Sequence, residues 1–193
     1  MRDIDIRRQL LAEMNRKHSL DPNTIVVQEL GLCQGVARVD LAVVNGSLHG
    51  YEIKSERDTL ARLPGQISVY NRTLEFVTII TAQNHADKVR EIVPSWWGIW
   101  TVSAQRSGVK LNSFREALRN PEVAPFSLVQ LLWRDEALQA LHDRGLAKGL
   151  SGKPREQLWD RLATELKLDD LAEIVRESLK RRSPTWRVLA LQA

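Results

Sequence analysis

Apolar and polar positions change their period twice along this chain. Residues 3–18 carry Ile4, Leu10, Leu11 and Met14 at helical spacing, with Asp3 placed as an N-cap and Arg16, Lys17 and His18 suited to the negative end of the helix dipole. Asp21-Pro22-Asn23 is turn chemistry, and three β-rich runs follow it at residues 24–30, 36–44 and 48–54. Residues 56–74 read as helix; Pro64 is tolerated only in a first turn, which predicts a short helical turn before it and a fuller helix after it. Residues 76–81 read as a buried strand, 86–93 as a helix closed by Pro94, and 97–103 as a fifth strand joined to the fourth by a βαβ crossover. Beyond about Asn112 the β pattern fades, and residues 113–119, 128–144, 155–166 and 171–181 carry helical spacing between Pro and Gly breaks. The expected architecture is α/β: a mixed sheet flanked by helices over residues 1–110, then a helical extension over 111–193, with the change falling near 110–125.

Composition narrows the class. The chain has 193 residues, 43% of them apolar and 27% charged, which excludes a disordered, collagenous or disulfide-built protein. No apolar run approaches the roughly 20 residues a membrane helix needs, and Arg2-Asp3-Ile4-Asp5 lacks a signal-peptide layout, so a cytoplasmic protein with no membrane partner is expected. Cys33 is the single cysteine, and His18, His49, His85 and His142 are too scattered for a zinc pattern. The net charge of +4 has a location: residues 1–143 balance at 17 basic and 17 acidic side chains, whereas residues 144–193 hold 11 against 7. Such a basic end suits nucleic acid, although a solvated helical face is the commoner explanation of so small an imbalance.

The informative stretch is Arg38-Val39-Asp40 through Glu52-Ile53-Lys54. Strand alternation lets Val39, Leu41, Val43, Tyr51 and Ile53 line the core while Glu52 and Lys54 share the other face. Whether Asp40 joins that face depends on the turn. A two-residue Asn45-Gly46 loop sets Asp40 opposite Tyr51; a three-residue Asn45-Gly46-Ser47 loop pairs Val44 with Leu48 and sets Asp40 opposite Glu52. Two opposed carboxylates about 5 Å apart at Cβ repel unless a cation or proton lies between them, and hard oxygen ligands select Mg²⁺ or Mn²⁺. The plain alternative is a surface Glu52–Lys54 pair with Asp40 accepting from Arg38.

Asp40, Glu52 and Lys54 on a hairpin between two helices resemble the core of the PD-(D/E)XK nuclease superfamily over residues 1–103. The run Glu29, Arg38-Val39-Asp40, Gly50-Tyr51-Glu52-Ile53-Lys54-Ser55, Asp58-Thr59-Leu60, Arg62-Leu63-Pro64-Gly65-Gln66 and Tyr70 is similar to a bacterial family of nuclease-like proteins known mainly by a locus-tag name. Val39 stands where the superfamily name has proline, a departure without mechanistic weight. The resemblance implies a restriction-endonuclease-like sheet and metal-dependent hydrolysis of DNA phosphodiester bonds. Asp40, Glu52 and the Ile53 carbonyl would hold the metal, and Lys54 would orient or help deprotonate the attacking water. An additional acid would come from Glu29 or, on the first helix, Glu13. Gln66 and Tyr70 are four apart on one helix face and resemble the Gln-x-x-x-Tyr element of the RecB-type branch. Arg38, Asp58 and Arg62 would position phosphate or brace the site.

Further along, Leu138, Leu141, Arg144-Gly145-Leu146, Ser151-Gly152-Lys153 and Glu156 to Leu162 resemble the helix-extension-helix SAP motif, over about residues 134–165. That likeness implies DNA contacts by Lys153 and Arg155 at the start of the second helix; a helical hairpin docked on the body is the equal alternative. Six tryptophans stand at 96, 97, 100, 133, 159 and 186. Trp96 and Trp100 share strand parity, so one could face out as a stacking platform, with core packing the default for both. DNA is the expected partner, with a homodimer or a partner protein left open. The competing function is an inactive nuclease fold used for DNA binding or protein interaction, which would follow if Asp40 and Glu52 pointed to opposite faces.

Overall fold

The computed structural model describes residues 2–105, 108–183 and Trp186. Among the described residues six strands, β1 (Ile25–Leu32), β2 (Ala37–Val44), β3 (Leu48–Lys54), β4 (Phe76–Ala82), β5 (Gly98–Gln105) and β6 (Gly108–Arg115), form one mixed sheet in sequential order. The β3–β4 and β4–β5 pairs are parallel and the others antiparallel. Each parallel pair is spanned by a helix, α2 (Leu63–Thr73) and α3 (Ala86–Ile92), as parallel connections require. The expected mixed sheet flanked by helices, with helices following it, is the architecture found.

Both faces of the sheet are covered. On one, α1 (Asp3–Lys17) buries Ile6, Leu10 and Met14 against Leu41, Val43, Tyr51, Ile53, Ile80 and Val102. On the other, α2, α3 and the C-terminal helices α4 (Pro125–Val129), α5 (Arg134–His142), α6 (Arg155–Glu165) and α7 (Leu168–Arg181) share one larger core with Leu48, Val77, Ile79 and Ile99. The helical extension therefore packs into the body's own core. A buried ion pair, Arg176 to Glu75 at 2.7 Å, fixes α7 to the turn before β4, where Glu75 also accepts the Leu48 N–H at 2.8 Å. Among the described residues no helix is long and apolar enough to cross a membrane.

Several local expectations are corrected. Ile4 is exposed and Ile6 takes its place in the core, because i, i+4 spacing from Ile6 through Leu10 to Met14 defines the docked stripe. Asp3 is the first helical residue, not the cap; Arg2 caps, and Asp5 accepts the Arg2 N–H. No helical turn precedes α2 as a separate element; residues 56–62 run as turns closed by Asp58, and Pro64 sits in the first turn of α2. The helix expected at 113–119 is overturned: Trp100 pairs with Ser113 and Ile99 with Arg115, and this ladder holds the chain extended as β6, beyond the boundary placed at 110. Residues 128–144 are not one helix: α4 ends at Val129 with Gln130 as its C-cap, and α5 begins at Arg134 with Trp133 as its N-cap, its N–H bonded to Glu136 Oε2 at 2.7 Å. Trp96 lies before β5, so strand parity does not apply to it; it is buried on the α2 side, and Trp100 packs on the α1 side.

Candidate active site

The turn between β2 and β3 has three residues: Val44 pairs with Leu48 and Leu41 with Tyr51. The next step places Asp40 and Glu52 across from one another, but β2 leaves β3 there and the ladder stops. Two irregularities explain the departure. Glu29 on β1 adopts a left-handed φ of 54° and is skipped in the pairing between Gln28–Leu41 and Leu30–Val39. At the same level β2 reverses its faces: Leu41 and Val43 contact α1, whereas Val39 joins the opposite core with Leu30 and Leu32. Val39 therefore does not share a face with Leu41, contrary to simple alternation. Gly50 accommodates the crossing, since a Cβ there would lie 3.2 Å from Val39 Cγ2 and 2.5 Å from Leu74 Cδ1.

Asp40 sits at the reversal and spans the opening. Its Oδ2 accepts the Ile53 N–H at 2.7 Å, replacing the lost ladder bond, and its Oδ1 accepts Arg7 Nη2 at 2.5 Å. Arg7, from α1, also pairs with Glu29 Oε1, with the Asp40 carbonyl at 3.2 Å and with Asp3 at 3.3 Å. One guanidinium thus holds the two acids that face each other across the skipped pair. Burial works against charge on Arg7, but Asp40, Asp3 and Glu29 outweigh it and keep the group firmly protonated.

On the α2 side lies the second half of the site. Glu52 and Lys54 are 2% and 4% exposed, so the surface-pair alternative does not hold. Lys54 Nζ donates to Glu52 Oε1 at 2.6 Å and to Gln66 Oε1 at 2.9 Å, while Gln66 Nε2 donates to Glu52 Oε1 at 2.7 Å. The Tyr70 hydroxyl lies 2.6 Å from Glu52 Oε2 and 2.8 Å from the Arg38 carbonyl, and accepts from Gln66 Nε2 at 3.3 Å. Burial, Glu52 and Asp40 push the Tyr70 phenol well above its ordinary range, so it acts here as a neutral donor. Burial and the nearby Glu52 carboxylate push the Asp40 carboxyl up to about 7, against the opposing pull of Arg7 and the Ile53 N–H.

These groups line one cleft of about 810 Å³ that also takes in Arg38, Asp58, Arg62 and Gly35. Asp40, Glu52, Ile53, Lys54, Gln66 and Glu29 are brought together there, with Tyr70 directly beneath through Glu52. Arg38 and Arg62 stand exposed at the rim. Asp58 is spent on the turn: it accepts both the N–H and the hydroxyl of Ser55 at 2.7 Å, and these bonds overcome burial to hold its carboxyl below the ordinary range. Glu13 does not line the cleft; its charge acts on Tyr51 across the α1 face. Lys153 and Arg155 lie away from the cleft on the helical extension, and Arg155 reaches Gln34 at 2.6 Å.

Arg7 is the residue that the sequence did not single out. In sequence it is one more charge beside a core isoleucine, and its partners appear only once α1 is docked over the β1–β2 reversal. Its presence bears on the donor set for a metal. Among the described residues no three His, Cys, Asp or Glu side chains group as a metal site, and Glu29 is bonded to Arg7. What remains is Asp40, Glu52 and the Ile53 carbonyl, an all-oxygen set with mutually repelling carboxylates, which fits Mg²⁺ or Mn²⁺.

Comparison with known proteins places the chain. Protein cII of Enterobacteria phage P4 is 28% identical over 182 residues, covering 94% of this chain and 68% of that protein. Among solved structures, the SPO1766 protein of unknown function from Silicibacter pomeroyi aligns at a TM-score of 0.43 and 21% identity, over 75% of this chain and 92% of that one, a likeness too distant to bear on the site. A family model described as bacteriophage P4 protein cII matches residues 1–190. The chain belongs to the bacteriophage P4 cII protein family.

Proposed function

We propose that this protein is a metal-dependent nuclease of PD-(D/E)XK type that hydrolyses DNA phosphodiester bonds. The observation that supports this most is that Asp40, bonded to the Ile53 N–H, and Glu52, bonded to Lys54, Gln66 and Tyr70, line one cleft. Asp40, Glu52 and the Ile53 carbonyl would hold Mg²⁺ or Mn²⁺, which supplies a lowered water pKa and neutralisation of phosphate charge.

The chain's own residues have separable tasks. Lys54 commits two of its three N–H donors to Glu52 and Gln66, leaving one to hold a water or screen charge developing on a phosphate oxygen. Gln66 and Tyr70 fix the Glu52 carboxylate from both oxygens, so its orientation is set before substrate arrives. Arg38 and Arg62 stand at the cleft rim, where a phosphate would pass.

A second reading is favoured by one observation: both oxygens of Asp40 and both of Glu52 already have donors, a self-neutralised network that needs no metal to stand. Under it the fold is an inactive DNA-binding or interaction module. Calorimetric titration with Mn²⁺ separates the two. The nuclease predicts a binding isotherm that Asp40→Asn and Glu52→Gln each abolish, and the inactive module predicts no isotherm for the unaltered protein.

A further inference from the structure

A second groove, of about 500 Å³, begins where the cleft ends. Gly35 lines both, so the two adjoin at the turn between β1 and β2. The groove runs past Gln34 to Arg155, Arg134 and Trp133, and among the described residues its lining contains three arginines and no acid. The arginines have carboxylate neighbours outside the groove: Arg134 meets Asp135 at 3.3 Å and Arg155 meets Glu156 at 3.2 Å, both solvent-exposed pairs of little strength. Arg182 is buried and bonded to Glu136, so it contributes position more than free charge.

Trp133 is what gives this groove a chemistry. It is 55% exposed, although a large aromatic gains by burial, and a guanidinium covers one face of its ring. The Arg182 guanidinium lies 4.2 Å from the ring centroid, and is itself anchored by Glu136 and by the Leu131 carbonyl at 2.6 Å. The Trp133 backbone N–H is fixed by Glu136 as the cap of α5. The exposed indole borders two grooves, this acid-free one and another lined by Asp135, Glu136 and Asp143, and its arginine side suits a flat ring carried on an anionic backbone. Duplex bases are already stacked and offer no open face, so the matching partner is an unpaired nucleotide.

We infer that the groove from Gly35 to Trp133 binds a single-stranded DNA segment, stacking a base on Trp133 and leading the strand into the Asp40–Glu52 cleft. The destination of the strand rests on the nuclease function proposed above; the binding itself does not. The test is fluorescence anisotropy with a labelled oligothymidylate and, separately, a labelled mixed-sequence duplex, both in EDTA so that neither is cut. Trp133→Ala is expected to weaken oligothymidylate binding about tenfold and to leave duplex binding unchanged, while Trp133→Phe, which keeps a ring, retains most of the affinity. Near-ultraviolet circular dichroism checks that both variants are folded. Unchanged oligothymidylate affinity in folded Trp133→Ala, equal loss for both probes, or no binding of oligothymidylate by the unaltered protein would each overturn the inference. Mn²⁺ titration of the same preparations keeps the two claims apart: groove binding without metal binding removes the nuclease alone, and metal binding without groove binding removes the strand path alone.

Discussion

The Asp40 carboxylate accepts the backbone N–H of Ile53 at 2.7 Å, across the gap that opens where β2 leaves β3 after the Leu41–Tyr51 pair. A side chain thus does the work of a missing rung in the sheet. The same bond fixes one acid against the peptide that lies between the other acid, Glu52, and Lys54, so the strand separation and the assembly of the site are one structural event.

Arg7 holds that event together electrostatically, and its removal is expected to be costly. Arg7→Ala strands two largely buried carboxylates, Glu29 and Asp40, without their cation. Breaking a buried pair on one side typically costs about 3–5 kcal/mol. Urea denaturation should show a loss of that order in Arg7→Ala and a smaller one in Arg7→Lys, which keeps charge but loses the fork that reaches both acids at once. A loss no larger than that of a surface arginine would contradict the bridging role.

Proton linkage gives a second check. The Asp40 carboxyl is pushed up from 3.8 to about 7 in the folded chain, so between those values the folded state binds the proton more tightly than the unfolded one. Stability from this group is fully present below pH 4 and is lost as pH rises through 7. In the presence of chelator, unfolding free energy should therefore carry a downward contribution across that window, and Asp40→Asn should remove it. An identical pH profile for the two proteins would show that Asp40 titrates normally.

Gly50 tests the crossing of Val39. A methyl group at residue 50 meets Leu74 at 2.5 Å and Val39 at 3.2 Å, both side chains packed in the core. Gly50→Ala is expected to destabilise the fold by about 1–3 kcal/mol, the usual range for overpacking a tight interior. Thermal denaturation measures it, and no loss would mean that the two neighbours yield freely.

At the helical extension, Lys153 and Arg155 are exposed and carry no part of the core. If they contact phosphate, Lys153→Ala with Arg155→Ala lowers the dependence of log affinity for DNA on log salt by roughly 1 to 2. An unchanged slope assigns α6 and its connector to packing alone.

Much of this was legible in sequence because the strands are buried and the chemistry is local. The pattern predicts strand 48–54 to the residue, and spacing and resemblance point to Asp40, Glu52, Lys54, Gln66 and Tyr70; in the structure Glu52, Lys54, Gln66 and Tyr70 form one hydrogen-bond network and Asp40 lies beside it on the Ile53 N–H. What failed has physical causes. Strand β6 is an edge with most positions partly or fully exposed, so its apolar alternation is weak and its extended shape is imposed by pairing with β5. The face reversal at Asp40 breaks period two, and periodicity has no means of announcing a matched irregularity in two strands. Arg7 escaped notice because its role depends on where α1 docks, a tertiary fact. Glu29, one of two candidates in sequence for the additional acid, lines the cleft, yet its partner is Arg7.

The central claim is most directly tested by incubating the purified protein with linear and circular DNA, single- and double-stranded, in Mg²⁺ or Mn²⁺, beside EDTA and Lys54→Ala controls. Cleavage that requires the metal and disappears in folded Lys54→Ala is the predicted result. Cleavage that persists at full rate in Lys54→Ala, or no cleavage together with no metal binding by the unaltered protein, would contradict the assignment of Asp40, Glu52 and Lys54 as a nuclease centre.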